Sequence, residues 1–155
     1  MPTDQLPVAT QLTILEQIVK TARSGDVIAE INASDVRKTT GRRESDISRC
    51  LLFFREANLV QQERKGRPFK PTNHAISFEI EWDDSKKREA LRAAFQGVWF
   101  TDVANNILSG GQVMARSDLV TRLARAAEAE KTKIVEQKLE KLVDFMMHAG
   151  IIEVE

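Results

Sequence analysis

The strongest constraint on the fold is a helix-and-cap pattern that occurs twice in the chain, 92 residues apart. In each copy, apolar positions at helical spacing precede a residue that tolerates a left-handed backbone and then a short apolar segment. A shift of 92 residues aligns Ile47 with Leu139, Cys50 with Leu142, Leu51 with Val143, Phe54 with Met146, Ala57 with Ala149, Asn58 with Gly150, Leu59 with Ile151 and Val60 with Ile152. Chance agreement of two ordinary helix ends is the alternative. We favour duplication of one small fold, with insertions, because the preceding helices also match in order.

The hydrophobic periodicity predicts a mainly α fold with small β-hairpin wings, an α+β arrangement of two similar units. The first half is predicted to hold three helices and the two strands of a hairpin, at about 8–23, 34–40 (with Ser34 as its cap), 44–57, 59–63 and 69–71. The second half is predicted to hold four helices and a final strand, at about 73–80, from 85 through Trp99, from 117, at 131–148 and at 151–154. We therefore expect a first domain at 8–72, a linker at 73–84 and a second domain at 85–155.

Composition excludes several classes of protein. With 155 residues and 42% hydrophobic side chains, the chain is too apolar to be disordered, and its apolar runs are too short to span a membrane. The polar, acidic start, Met1-Pro2-Thr3-Asp4, is unlike a signal peptide. The single cysteine, Cys50, excludes an intramolecular disulfide. We expect a cytoplasmic protein with no bound cofactor.

Enzymatic chemistry has little support in the sequence. His74 and His148 have no neighbours that would form a nucleophile–base pair or a metal site, and Cys50 falls on a predicted core face. Ser109-Gly110-Gly111 lacks the Lys-Ser/Thr that completes a phosphate-binding loop. We therefore expect a protein that is not an enzyme.

The charge distribution points to a polyanion. The chain has 23 basic and 23 acidic residues, yet residues 37–70 contain ten basic against four acidic, a net charge of +6. The residues before and after this window each sum to −3. Such asymmetry is typical of a surface that binds nucleic acid, and an ordinary solvated basic face is the alternative.

The basic window also resembles a known family. Gly41-Arg42-Arg43-Glu44-Ser45-Asp46-Ile47-Ser48-Arg49 resembles the turn and recognition helix of bacterial winged-helix regulators of the MarR-like and ArsR-like families. The sequel Arg55-Glu56-Ala57-Asn58-Leu59-Val60, the glycine-centred Arg64-Lys65-Gly66-Arg67 and the closing Pro71-Thr72 are similar to the helix end, wing and wing exit of those proteins. The chain departs from them at Arg42, where an aliphatic residue is usual, and at Arg43, often a serine. No metal-sensing cysteine pair is present.

The resemblance implies a DNA-binding protein, a transcriptional regulator associated with the nucleoid, in which helix 44–57 and wing 64–70 contact double-stranded DNA. Ser45, Ser48 and Arg49 lie off the core stripe of that helix and are the candidates for contacts to base edges. Basic side chains around the helix start and on the wing are the candidates for phosphate contacts: Lys38, Arg42, Arg43, Arg64, Lys65 and Arg67. Leu52 and Phe53 are adjacent, so only one of them fits the helix core. We expect the other to pack under the wing or against another subunit.

The second unit is expected to be a degenerate winged helix used for packing, for a homodimer or for a protein partner. Helix 131–148 mixes Lys and Glu side chains, which suits a protein interface better than a DNA interface. The candidate interface residues are Trp99, Phe100 and Lys138, although a core position is the favoured interpretation of Trp99 and Phe100. The alternative function is a tandem winged-helix adaptor that binds proteins within a larger complex.

Overall fold

The computed structural model describes residues 1–109 and 114–153, and most of them are helical. Eight helices and two antiparallel hairpins occupy these ranges: α1 Val8–Ala22, β1 Arg23–Ser24, β2 Val27–Ile28, α2 Ala33–Thr40, α3 Glu44–Glu56, β3 Val60–Gln62, β4 Phe69–Pro71, α4 Asn73–Ile80, α5 Asp84–Phe95, α6 Trp99–Ser109, α7 Arg116–Ala126 and α8 Lys133–His148. The predicted mainly helical class with small hairpins is confirmed. None of the helices in the described ranges is long and apolar enough to cross a membrane.

Helix α1 forms the centre of the first half because its buried side is apolar except for Gln11. Leu12, Leu15, Ile18 and Val19, the stripe expected from the sequence, are all buried. The helix ends in the two-residue strand β1, which pairs with β2 across a tight turn. This hairpin was not predicted, because strands of two residues are too short to show an alternating pattern.

The start of α2 is fixed by a capping box two residues before the predicted cap. The side chain of Asn32 accepts a hydrogen bond from the Asp35 backbone N–H, and the Asp35 carboxylate accepts one from the Asn32 N–H at 2.9 Å. The prediction that Ser34 is the cap was therefore wrong, since Ser34 lies inside the helix. Residues 41–43 then form a short turn into α3, as predicted.

A small sheet closes the first half. Strands β3 and β4 pair with Val60 opposite Pro71 and Gln62 opposite Phe69. Ile31, just before α2, adds a third edge, because its N–H and C=O both bond to the backbone of Phe69 at 2.7 Å. After α1 and the short β1–β2 hairpin, the order along the chain is therefore the sheet residue Ile31, helices α2 and α3, and the β3–β4 hairpin.

The ends of α3 and α8, which the 92-residue shift aligns, have the same backbone geometry. The end of α7 shares it, with φ of 52° at Glu128, so this is a common helix ending and the duplication stays a prediction. Asn58 and Gly150 both have a left-handed backbone, with φ of 62° and 69°. Three backbone hydrogen bonds recur at the same offset: Ala57 N–H to Phe53 O and Ala149 N–H to Phe145 O, Asn58 N–H to Arg55 O and Gly150 N–H to Met147 O, Leu59 N–H to Phe54 O and Ile151 N–H to Met146 O. The two units diverge beyond this point. The predicted strand at 151–154 was wrong for residues 151–153, which pair with no strand in the described residues, and Val154 lies outside them.

The two halves share one core, and Phe53 lies where they meet. Its ring is 4.9 Å from the ring of Phe145, its counterpart in the repeat, and 6.3 Å from that of Phe100. Phe53 is fully buried, whereas Leu52 is 53% exposed. The core residue of the pair is therefore Phe53, and it packs against the second half of its own chain. Leu52, the other residue of the pair, is exposed and so does not pack under the wing, and its contact with another subunit stays a prediction.

The predicted helix from 85 through Trp99 is two helices. Helix α5 ends at Phe95, Gly97 takes a left-handed backbone with φ of 77°, and α6 begins at Trp99. The apolar periodicity continues across the break, so a single glycine was the only sign of it in the sequence. Before the break, α4 fills the predicted linker and buries Ala75 and Phe78 in the core.

Candidate nucleic-acid interface

The outward side of α3 carries the residues predicted to contact bases. Helical geometry places Ser45, Ser48 and Arg49 on the side opposite the stripe that faces the core. Ser45 and Arg49 are exposed and Ser48 is half-buried. Leu52 continues the same side one turn later. This strip of α3 is therefore open to a ligand along about two turns.

The β3–β4 hairpin lies along one edge of this strip. The Arg55 guanidinium in α3 donates to Gln62 Oε1 in β3 at 2.5 Å. The same Gln62 side chain donates to the backbone carbonyl of Arg67 at 2.8 Å. These two bonds link the C-terminal half of α3 to the hairpin tip, defined here as residues 63–68. A ligand on the strip would therefore lie beside the tip.

The other edge of the strip is covered by the N-terminal segment and by the second half of the chain. Gln5 Oε1 accepts a hydrogen bond from Arg49 Nη1 at 2.7 Å, and the amino group of Met1 donates to the Glu56 carboxylate. Glu56 also accepts a bond from the indole N–H of Trp99 at 2.7 Å. The contact of Gln5 with Arg49 was missed by the sequence analysis, because nothing in the sequence brings residues 44 positions apart together.

Arg49 is positioned rather than free. Besides its bond to Gln5, its guanidinium lies 3.6 Å from the Asp46 carboxylate one turn earlier in α3. Both contacts are on the protein surface, where exchange with a ligand costs little. Arg49 can therefore give up either contact to bond the edge of a base.

The two arginines of the α2–α3 turn point in different directions. Arg42 is half-buried, and its Nε donates to Gln17 Oε1 in α1 at 2.6 Å. Arg43 is exposed, and so is Lys38 at the end of α2. Neither side chain makes a hydrogen bond or an ion pair with any described residue. The departure from the family pattern at Arg42 is thus explained by a contact with α1. Arg43 and Lys38 remain available to an anion.

The hairpin tip carries three exposed cations. Arg64, Lys65 and Arg67 are exposed, and within 1–109 and 114–153 their side chains have no hydrogen-bond or ion-pair partner. The tip is held through its backbone, by the bond from the Arg67 N–H to the Arg64 carbonyl at 3.0 Å and by the Gln62 side chain that bonds the Arg67 carbonyl. The tip therefore projects uncompensated positive charge.

Comparison of the chain with protein-family models, curated protein sequences and solved structures found no match. The resemblance to MarR-like and ArsR-like regulators thus rests on the residues of the turn, helix and hairpin. What this surface binds has to follow from its own geometry and charge.

The positive charge of the surface comes from the segments beside α3, because α3 itself holds three acidic and two basic residues. Glu44 is offset by Arg37 at 3.5 Å and Asp46 by Arg49. Among the described residues, no basic side chain of 37–70 bonds to any residue of the second half. The cations are therefore neither buried nor consumed by contacts between the two halves.

The three candidate interface residues of the second unit differ in accessibility. Phe100 is fully buried against Phe53, Phe95 and Trp99, so it belongs to the core and offers nothing to a partner. Its assignment to an interface was wrong, and the favoured core interpretation was right. Trp99 is half-buried with its indole N–H bonded to Glu56, and Lys138 is half-buried on α8.

The cysteine and the acidic groups offer little chemistry. Burial, reinforced by the nearby Asp46, raises the pKa of the Cys50 thiol to about 12, so it stays protonated at neutral pH. In the described ranges no group of three or more His, Cys, Asp or Glu side chains is arranged to hold a metal ion. The exposed cations beside α3 thus form the candidate site.

Proposed function

We propose that the chain is a DNA-binding protein built from two winged-helix units. In this proposal it is a transcriptional regulator that is associated with the nucleoid in the cytoplasm. One observation carries the proposal. Exposed, unpaired cations stand at the α2–α3 turn and at the hairpin tip, and the accessible strip of α3 runs beside them. A duplex offers the matching arrangement, a groove that admits a helix between two rows of phosphates.

The order of elements supports a winged helix in the first half. Helices α1, α2 and α3 precede the β3–β4 hairpin, and Ile31 adds the short third edge to the sheet. In the second half, the three helices α6, α7 and α8 also follow one another along the chain, which agrees with a second, degenerate unit. The described residues of that half hold no hairpin, so we assign it packing or partner binding rather than DNA contact.

Each side chain has a role in this proposal. Ser45, Ser48 and Arg49 face the bases of the major groove, where Arg49 is able to bond two acceptors of guanine. Lys38 and Arg43 contact phosphates next to the start of α3. That start has no side-chain cap, so the first backbone N–H groups are also free to bind phosphate.

The three cations of the hairpin tip complete the assignment. We assign Arg64, Lys65 and Arg67 to the adjacent backbone or the minor groove. Arg42 is already bonded to Gln17, so we assign it to the support of the turn.

The test measures duplex binding against salt concentration. Contacts with about five to eight phosphates predict that the logarithm of the binding constant falls with a slope of about −5 to −7 against the logarithm of salt concentration. The variant Arg64→Glu/Lys65→Glu is expected to weaken binding at least tenfold, about the scale of two lost phosphate contacts. The matched control Arg125→Glu/Lys133→Glu makes the same charge change at exposed positions of the second half and is expected to bind nearly as well. Absence of duplex binding at low salt contradicts the proposal.

The adaptor function is the second candidate, and one observation favours it. Trp82, between α4 and α5, is 97% exposed, which is unusual for a side chain of that size. An adaptor would keep its partner when Arg43→Glu/Arg49→Glu reverses two charges of the DNA surface. It would lose the partner when the surface around Trp99 or α8 is changed. Loss of duplex binding in the double variant favours DNA.

A further inference from the structure

The connection between α4 and α5 exposes two large apolar side chains. Trp82 is 97% exposed, and Ile80, the last residue of α4, is 54% exposed. The intervening Glu81 has an extended backbone, with φ of −69° and ψ of 137°, which ends α4 and leads the chain to Trp82. We call residues 80–84 the Trp82 ridge.

The ridge is also acidic. From Glu79 to Ser85 the sequence holds four acidic residues and no basic one. Glu79 is paired with Arg23 at 2.7 Å, and Asp83 caps α5 by accepting a bond from the Ser85 N–H at 2.8 Å. The carboxylates of Glu81 and Asp84 make no hydrogen bond or ion pair with other residues in the described ranges. Two carboxylates that form no ion pair within the described residues thus lie on either side of the exposed indole in the sequence.

An exposed indole between carboxylates has the chemistry to bind arginine and lysine. The ring face attracts a guanidinium or ammonium group, and the carboxylates pair with neighbouring cations. A surface of matching chemistry exists on this chain, since Arg64, Lys65 and Arg67 of the hairpin tip are exposed and unpaired within the described residues. The two surfaces do not meet within one chain, because the ridge indole is almost fully exposed.

We propose that the Trp82 ridge docks on the hairpin tip of a second copy of this chain. The indole of Trp82 lies against an arginine of the tip, and Glu81 and Asp84 pair with its remaining cations. The contact is small and largely polar, so the association is reversible and weakens as salt screens the charges.

The ridge and a duplex would compete for the same hairpin tip, and only this competition rests on the proposed function. A duplex that occupies the hairpin tip removes the surface on which the ridge docks. Self-association and duplex binding then exclude each other, and added duplex separates the copies by mass action.

The first experiment measures the mass of the full chain in solution by sedimentation velocity, from about 10 to about 300 μM, where weak contacts become populated. At low salt the mean mass is expected to rise with concentration, and at about 0.5 M salt, where screening is short-ranged, the chain is expected to be a monomer. Trp82→Ala is expected to weaken association at least tenfold. The control Ile134→Ala removes another exposed apolar side chain, on α8, and leaves association unchanged.

A charge exchange tests the pairing itself. Glu81→Lys/Asp84→Lys gives a chain with a basic ridge and a basic tip, and Arg64→Glu/Lys65→Glu gives a chain with an acidic ridge and an acidic tip. Neither is expected to associate alone, whereas a mixture of the two is expected to associate through both contacts. Thermal unfolding of each variant shows whether it is folded before it is used.

Several results overturn the proposal. They are a monomer at every concentration in low salt, association that persists in high salt or in Trp82→Ala, and a mixture of the two reversed chains that stays monomeric. If the chain associates as expected but binds no duplex, the docking contact stands and the proposed function fails. If duplex binds without separating the copies, the tip is not shared between them, and this too overturns the docking contact.

Discussion

Phe53 is expected to be the side chain of α3 on which the stability of the whole molecule depends most. It is fully buried, and its ring meets Phe54, Phe100 and Phe145, with the closest centroid 4.9 Å away. Truncation to alanine removes the transfer free energy of the ring and leaves a cavity between the two halves, and together these cost about 3–5 kcal/mol. That is a large part of the about 5–15 kcal/mol that stabilises an ordinary domain.

The adjacent residue supplies a matched control. Leu52 is 53% exposed, so Leu52→Ala is expected to change the free energy of unfolding by no more than about 0.5 kcal/mol. Both variants are compared with the wild type by urea unfolding, followed by circular dichroism and by the fluorescence of Trp99, whose ring touches Phe100. Because Trp82 is almost fully exposed, Trp82→Phe removes its background signal without disturbing the core.

The reasoning is refuted if Leu52→Ala costs as much as Phe53→Ala, or if Phe53→Ala costs less than about 1 kcal/mol. A double-mutant cycle with Phe145→Ala refines the test. The two rings are in contact, so we expect a coupling free energy of about 0.5–1.5 kcal/mol between them. A coupling of zero means that the two halves do not meet at these rings.

Three further predictions follow from single positions. Arg49→Ala is expected to relax the sequence preference of duplex binding and to lose about 1–3 kcal/mol of binding free energy. Lys65→Ala is expected to weaken binding to all sequences alike and to reduce the magnitude of the salt slope by about 1. Binding isotherms on duplexes of varied sequence and at varied salt measure both effects. Gly150→Ala is expected to destabilise the fold by about 1–2 kcal/mol because φ is 69°, whereas Asn58→Gly at the equivalent turn is neutral or slightly stabilising in thermal unfolding. Cys50, with its pKa raised to about 12, is expected to react with thiol reagents at pH 8 only after unfolding. Above about pH 9 the thiol ionises in the unfolded chain but not in the folded one, so the free energy of unfolding is expected to fall as pH rises.

The features that the sequence predicted correctly are those decided by local chemistry. The stripe of α1 was visible because burial repeats every three or four residues in a helix. The left-handed turns at Asn58 and Gly150 were visible because few other residues tolerate that backbone. Both kinds of signal lie within one or two turns of helix, so a single sequence is enough to show them.

The features that the sequence did not show depend on contacts between distant segments. Leu52 and Phe53 are equally apolar, and only the position of Phe145 and Phe100 decides which is buried. The break at Gly97 was hidden because a lone glycine inside a helix costs only about 1 kcal/mol, so the apolar pattern outweighed it. Residues 151–153 were predicted as a strand from their apolar side chains alone. A strand also needs a partner, and none of the described residues pairs with them.

The second half of the chain has a role in the proposed function even without contacting DNA. It holds one edge of α3 through the ring of Phe53 and through the bond from Trp99 to Glu56. A helix held in this way has lost its freedom before a ligand arrives, so binding costs less conformational entropy. Apart from the half-buried Arg42, the basic residues of 37–70 thus face solvent, while the apolar side of α3 packs against the second half of the chain. If duplication produced the two halves, one copy kept the charged surface and the other became its support.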